Sequence, residues 1–442
     1  MSSPRDAART LATLGLLTAV LPVNAAVTGA ALVAGRLRPP PAPPAPAQRR
    51  TVLVSGGKMT KALALCRSFH AAGHRVVLVE SGKYVLTGHR FSRSVDAFHT
   101  VPDASDETYA DALLAIVEAE GVDAYVPVCS PASSLHDARA KALLSKHCEV
   151  VHLDEEVLEQ LDDKFRFAKA SEALGLRVPD THRITSAEQV LDHDFSGATR
   201  PYLLKSIAYD PVHRLDLTRL PFGPPEAMAA FVRSLPISED NPWILQEFVE
   251  GQEFCTHSTV RDGRLTVYCC CESSPFQINY AHVEHPAIRA WVDRFVEGTS
   301  FTGQISLDFI EEPSGEVFAI ECNPRTHSAI TMLYDHQGVA DAYLEDAPEV
   351  GERAVVVPTG AGRPTYWLYH EVWRLLTEPR KAHRLRTILT GTDAIFSVAD
   401  PLPFFMEHHV QVPWLLLQNL RKGGSWIRVD FNVGKLVEAG GD

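Results

Sequence analysis

The chain has no excess of positive charge. Its 442 residues hold 42 Lys and Arg against 55 Asp and Glu, a formal net charge of -13. A surface that tracks phosphate backbones needs the opposite balance, so broad nucleic-acid binding is excluded. No CxxC pair occurs among the eight cysteines, and three are consecutive, Cys269 to Cys271. That spacing suits neither a regular disulfide framework nor a tetrahedral zinc site. The cysteines are read as reduced strand residues of a cytoplasmic protein. There is no internal repeat. The segment "SGGKMTK", Ser55 to Lys61, lacks both the four-residue spacer of a P-loop and the spacing of GxGxxG. A dinucleotide site after the first strand is therefore not expected.

What is present describes a globular protein, 45% hydrophobic and 22% charged. The length predicts two or three folding units. Leu11 to Ala34 is apolar but interrupted by Pro22 and Asn24. It is borderline for a spanning helix, and three readings stay open: a membrane anchor, an export signal, or a greasy tail. Arg36, Arg38, Arg49 and Arg50 follow it, against Arg5 and Arg9 before it, a bias that keeps the downstream chain in the cytoplasm. "RPPPAPPAPAQRR", Arg38 to Arg50, reads as a stiff, extended linker. The expected organisation is an apolar segment and linker over 1–50, a first α/β domain over 51–150 and a second region over 151–340. The part over 341–442 has no legible role.

From Thr51, strands and helices alternate. "TVLVSG", "RVVLVES" and "DAYVPVCS" read as strands, with helices over "KALALCRSFHAAG" and "ADALLAIVEAEG" between them. That rhythm predicts a parallel sheet covered on both faces. Lys58 and Thr60 open the first helix, where an anionic substrate group can bind, and Ser130 ends the third strand, where ligands approach such sheets. The bland alternative is a tight turn. "LDDKFRFAKASEALG" predicts one helix capped by Asp162 or Asp163 and stopped at Gly175, and "RPYLLKSIAYD" a strand carrying Lys205. "PWILQEFVEGQEFCTHSTVRDGRLTVYCCCES" predicts two strands around the turn "RDGR".

The most informative stretch is "VFAIECNPR", Val317 to Arg325, preceded by "GQISLDFIEEPSGE". Alternation predicts Phe318, Ile320 and Cys322 on the core face, with Glu321 and Asn323 together on the other. A four-residue loop from Pro313 to Glu316 pairs Ile310 with Ala319, Asp308 with Glu321 and Ser306 with Asn323. Two carboxylates so placed repel, and a shared cation removes the conflict. Two carboxylates and an amide, with no His or Cys, suit magnesium completing its shell with phosphate oxygens and water. The competing reading turns one carboxylate to solvent or pairs it with Arg325. Phosphates need cations, and Lys164 and Lys205 are the candidates. The backbone around Phe248 and Val249 can bond a base, and Glu253 can accept from ribose hydroxyls.

Taken in order, Lys164, Lys205, "QEFVEGQE", Asp308 and "ECNPR" resemble the ATP-grasp superfamily. "NPR" with the following "THSA" is most similar to its carbamoyl-phosphate-synthetase-like members. The resemblance covers roughly Thr51 to Ala340. It implies an α/β chain, with a Rossmann-like parallel-sheet pre-grasp domain before an ATP-grasp fold of two α+β lobes. It further implies that ATP phosphates meet Lys164 and Lys205, that Glu247, Val249 and Glu253 hold adenosine, and that Asp308, Glu321 and Asn323 bind Mg2+. Arg325 would meet the transferred phosphoryl group or the acceptor. One departure is the loop "SIAYDPVHRLDL", which has no glycine where that superfamily's phosphate-covering loop is glycine-rich; His213 or Arg214 is the substitute contact.

"LVSGGKMTKAL", "RSFHAAGHRVVLVE", "LTGHRFSR", "PVCSP", "LDDKF" and "RPYLLKSI" resemble a narrower family, the ATP-grasp ligases that join glycine to 4-deoxygadusol. That resemblance implies small-molecule substrates, a C–N bond formed through a phosphorylated enol, and ADP and phosphate as by-products. Arg325 and Arg214 are candidate partners of the glycine carboxylate. His257 shares a strand face with Glu253 and Cys255 and is a further candidate for the cleft, with a satisfied structural histidine as the alternative.

Overall fold

The protein was analysed as a computed structural model that describes residues 4–39, 43, 45–208, 210, 212–213, 216–273, 279–344, 354–378 and 383–438. Helix α1 (Pro4–Leu37) comes first, then the parallel strands β1 (Thr51–Val54), β2 (Arg75–Ser81), β3 (Ala97–Val101), β4 (Ala124–Val126) and β5 (Glu149–Val150). Their order is β3-β2-β1-β4-β5. The helices α2 (Thr60–Ala71), α3 (Tyr109–Glu120) and α4 (Ser134–Leu144) connect them. Ala62, Leu65, Cys66 and Phe69 of α2 are all fully buried, as their spacing predicts. The turn after β1 depends on Gly56, whose φ is +68°. A side chain there would meet the Val128 carbonyl oxygen at 2.1 Å. Strand β3 was not legible in the sequence, because this edge strand carries His99 and Thr100 in place of an apolar run.

A pair of helices follows, α5 (Glu155–Asp162), which the sequence did not disclose, and α6 (Lys164–Ala173), the predicted helix capped by Asp163 and followed by Gly175. Asp163 breaks them apart. Its backbone is extended and its carboxylate accepts from Phe165 N (2.8 Å) and Arg166 N (2.9 Å), so it caps α6. Strands β6 (Thr181–Ile184), β7 (Tyr202–Ser206) and β8 (Trp243–Glu247) form an antiparallel sheet ordered β6-β8-β7. It is covered by α7 (Ala187–Leu191) and α8 (Pro225–Ser234), with Val190, Val232 and Trp243 in its core.

The next sheet holds β9 (Gln252–Arg261), β10 (Arg264–Glu272), β12 (Gly303–Glu311) and β13 (Val317–Asn323), ordered β10-β9-β12-β13. The β9–β10 turn has Asp262 and Gly263 at φ of 48° and 72°, the left-handed pair that a two-residue hairpin requires. Helix α9 (Pro286–Thr299) lies on one face and buries Trp291 and Phe295, stacked 5.2 Å apart, with Phe309 of β12 edge-on to Trp291.

The remaining residues fold back toward the start of the chain. Strands β11 (Asn279–Tyr280), β14 (Thr365–Tyr366) and β15 (Thr392–Asp393) form a small sheet. Helices α10 (Val339–Leu344), α11 (Leu368–Thr377), α12 (His383–Thr390), α13 (Leu402–Met406) and α14 (Val412–Lys422) precede the hairpin β16 (Trp426–Asp430) and β17 (Lys435–Glu438). This layer is tied to the first sheet's helix. Thr60 N donates to Asn432 O (2.9 Å), Trp367 Nε1 donates to Thr60 Oγ1 (3.0 Å), and Arg67 pairs with Asp400 (3.0 Å). One apolar core runs from Val52 and Phe69 through Trp367 to Leu416 and Leu436.

Candidate active site

The β12–β13 hairpin sets Asp308 opposite Glu321 and Ser306 opposite Asn323. Those two pairings match the sequence reading, but the loop does not. Glu311 pairs with Val317 and Ile310 with Phe318, so the loop is five residues, Glu312 to Glu316. The extra residue is absorbed by a bulge at Ile320, between the Asp308–Glu321 and Phe309–Ala319 pairs. The bulge also corrects the face assignment. Val317, Ala319 and Cys322 enter the core under α9, whereas Phe318 joins Val249 and Ile310, with Ile320 against them. The physical reason is volume: Trp291, Phe295 and Phe309 already fill the space on the α9 side, leaving room for small residues only.

Around the carboxylates the contacts form a chain. Lys164 Nζ lies 3.8 Å from Glu321 Oε2, Asn323 Nδ2 donates to Asp308 Oδ2 (3.2 Å), and Arg325 donates to Asn323 Oδ1. Arg325 Nη1 is 3.6 Å from Asp162. Lys205, projecting from β7, donates to Gln246 Oε1 (3.2 Å) and faces Glu321 from the other sheet. Burial and the facing Glu321 push the Asp308 carboxyl well above the usual carboxylate range. Burial also opposes the Glu321 charge, but Lys164 and Lys205 outweigh it and hold that carboxyl below its usual value. Burial lowers the Lys205 ammonium, against the pull of Glu321. Among the described residues no cluster of three or more His, Cys, Asp or Glu is arranged to hold a metal ion. The donor set here is instead two carboxylates and an amide, all oxygen, which fits a hard cation such as Mg2+.

The other predicted residues fall into distinct places. Glu247 is held by Arg200 (3.1 Å), which also binds Glu312 (2.7 Å) and so joins the two antiparallel sheets. Val249 packs in the small apolar cluster with Ile310 and Phe318, and Phe248 N is donated to Pro201 O (2.7 Å). Glu253 lies across from Ile310, its carboxyl raised by burial against the pull of Lys205. Lys58 and Ser130 share a crevice of about 390 Å³ at the carboxyl ends of β1, β2, β3 and β4. There Lys58 pairs with Glu80 (3.4 Å) and lies 4.4 Å from the Tyr84 ring. His257 is fully buried, apart from the carboxylates: its Nδ1 accepts from His327 N (3.3 Å) and its Nε2 meets Thr259 Oγ1 (3.2 Å). Burial and His327 hold its imidazole well below the usual range. His213 is bound to Asp210 (2.6 Å), and Arg214 lies outside the described residues.

Sequence reasoning missed Lys61. This buried side chain donates to Cys129 O (3.0 Å) and Thr326 O (2.6 Å), fastening the segment after Arg325 to the first domain. Its place as the second residue of α2 gave no sign of burial. Desolvation, then the charge of Arg325, lowers its ammonium to about 7. The unfolded chain therefore binds more protons between about pH 7 and 10.5, so this residue's contribution to stability rises with pH there and is lost as pH falls through 7. Urea unfolding of wild type should gain up to about 1.4 kcal/mol per pH unit over Lys61→Met across pH 7–9. A pH-independent difference between the two would show that the ammonium stays charged throughout.

Comparison with known proteins shows which fold the chain shares. The biotin carboxylase domain of Hydrogenobacter thermophilus 2-oxoglutarate carboxylase, solved with MgADP, ADP and bicarbonate, matches at a TM-score of 0.54 and 15% identity, covering 70% of this chain and 72% of that one. Campylobacter jejuni biotin carboxylase, solved as a beta-gamma-ATP complex, matches at 0.51 and 14% identity, covering 67% and 72%. The fold is thus ATP-grasp, two α+β lobes preceded by a parallel-sheet domain. In sequence, the chain is 22% identical over 237 residues to the C-terminal section of the carbamoyl phosphate synthase large chain of Methanopyrus kandleri. That match takes in 48% of this chain and 41% of the relative, so the chain spans about two-fifths of the relative's length. No family model matches.

Proposed function

We propose that the protein is an ATP-dependent ligase that activates an acidic oxygen by phosphorylation and couples it to an amine. The observation that carries this reading is the opposed Asp308–Glu321 pair, with Asn323 beside it and Lys164, Lys205 and Arg325 around it. In this reading residues 51–150 are the pre-grasp domain and 151–340 the grasp. Adenosine lies against Val249 and Ile320, between Glu247 and Glu253. Asp308, Glu321 and Asn323 would hold Mg2+, which would supply positive charge against the phosphates. Lys164 and Lys205 hold the phosphates, and Arg325 the group in transfer. The nucleotide complexes of the fold neighbours support this choice of ligand.

For the substrates we propose 4-deoxygadusol and glycine, on the strength of the segment matches in the first domain. The enol of 4-deoxygadusol is a vinylogous carboxylic acid. Its enolate oxygen attacks the γ-phosphorus and the bond to the β-phosphate oxygen breaks, releasing ADP. The glycine amine then adds to the phosphate-bearing carbon, the C–O bond to phosphate breaks, and the nitrogen loses its proton. The chain's part is positioning and charge stabilisation. The crevice with Lys58 and Ser130 is our choice for the organic anion. The dependence on ATP assigns the reaction to the cytoplasm, with α1 on the cytoplasmic face of a membrane.

The test supplies purified protein with ATP and Mg2+ and measures ADP while 4-deoxygadusol and single amino acids are added in turn. ADP release that needs both the enol and glycine is the expected result. Release with a plain carboxylate and an amine, but not with the enol, would assign a carboxylate–amine ligase acting through an acyl phosphate. Nucleotide binding without turnover would overturn both.

A further inference from the structure

Helix α1 is apolar on every side, yet protein covers only one of them. Its covered stripe is Thr10, Leu17, Thr28 and Ala31, on one side of the helix, and it packs on α13 and α14. Leu11, Val23, Val27 and Leu37 turn the other way and are exposed. A helix without a polar face is stable in water only when it is buried all round, so another apolar phase must cover this side. The helix is long enough to span a bilayer. Its contacts prevent it from standing upright in one. Arg9 Nη1 donates to Trp426 O (2.9 Å) and stacks on the Trp426 ring at 4.0 Å, and Trp426 Nε1 donates to Thr10 Oγ1 (2.9 Å). Fifteen residues on, about 22 Å along the axis, Asn24 Nδ2 meets Tyr369 OH (2.5 Å) and His409 Nε2 (2.7 Å). Spanning would strip these contacts and leave Asn24 near the middle of the hydrocarbon.

Tyr369 begins α11, and that helix with α12 exposes a second apolar set: Trp373 at 59%, Leu376 at 72% and Leu389 at 73%. Charge supplies the complement. In a chain of net -13, the exposed charges here are mostly basic: Arg5 and Arg36 on α1, Arg386 on α12, and Arg421 and Lys422 at the end of α14. Three acids of the same layer are turned inward, Glu371 to Arg384, Asp400 to Arg67 and Glu407 to His89, while the exposed acids Asp341 and Glu438 lie on α10 and β17. We propose that α1 and the α11–α12 pair form one surface that docks flat on an anionic lipid bilayer, with α1 lying in the interface and the basic residues at the headgroups.

The test floats the full chain with phosphatidylcholine vesicles, with and without phosphatidylserine. Binding should need phosphatidylserine and reverse in high salt or carbonate. The double variant Trp373→Glu, Leu376→Glu should bind at least tenfold less while its melting temperature stays unchanged, since both side chains are exposed. Undiminished binding by that variant would overturn the shared surface. Resistance to carbonate would show a spanning helix, and a dimer in light scattering that the variant dissolves would show a second copy as the occupant. Either outcome overturns the proposal, as does failure to float at all. None of these readouts involves nucleotide turnover.

Discussion

Asp308→Ala should lower ADP release by on the order of 10³-fold, because in the proposed site it removes half of the acidic pair assigned to the cation and hence to the phosphates. Its effect on folding should be near zero. The carboxyl it deletes is pushed toward its neutral form by burial and by Glu321, so no favourable charge is lost. Glu321→Ala should abolish turnover equally but behave differently in a melt. Glu321 is the counter-charge to Lys164 and Lys205, and taking it away leaves two ammonium groups facing each other. With Glu321 a third exposed, at 33%, solvent screens this repulsion and a loss of about 1 kcal/mol is expected. Urea titrations of both variants beside an ADP assay measure the asymmetry. Equal stability would mean that the proton does not reside on Asp308, and near-normal turnover in either variant would refute the metal assignment.

Lys205→Met should lower kcat/KM for ATP by about 10²- to 10³-fold, the effect of losing the phosphate contact proposed for it, and at the same time stabilise the fold. The ammonium sits at the end of "YLL" in β7, its charge disfavoured by burial and only partly offset by Glu321. Methionine keeps the volume and removes that cost, the pattern expected where function is kept at the expense of stability. The comparison to make is melting temperature against nucleotide affinity for the same variant. A variant both less stable and fully active would show that Lys205 is a structural partner of Gln246 and nothing more.

What the sequence discloses about the site follows from how local each signal is. Asp308 falls opposite Glu321 as the sequence suggested only because two departures cancel: the loop is one residue longer than the four read from the sequence, and the bulge at Ile320 takes up the extra residue. The bulge was not legible, because "VFAIECN" alternates as well with Phe318 and Ile320 inward as outward. Only the aromatic side chains of α9, in a different segment, decide which set fits. The same distinction separates Asp163, whose capping role is written in the residues beside it, from Lys61, whose burial depends on Cys129 and Thr326 far along the chain. His257 shares a face with Glu253 as alternation requires, but its enclosure by Thr259 and the backbone of His327 is a matter of tertiary packing. The layer after Ala340 stayed unread because its buried apolar residues complete a core begun by the first sheet, a partner far away in sequence.

Helix α2 receives a backbone hydrogen bond acceptor from Asn432, and the Thr60 hydroxyl reaches Phe431 O across 371 positions of sequence. A ribosome that has already delivered the five strands of the first sheet has therefore not yet delivered what seals it. Until the β16–β17 hairpin emerges, that nascent sheet carries open apolar ground, so a chaperone that shields it during synthesis would have most to do early.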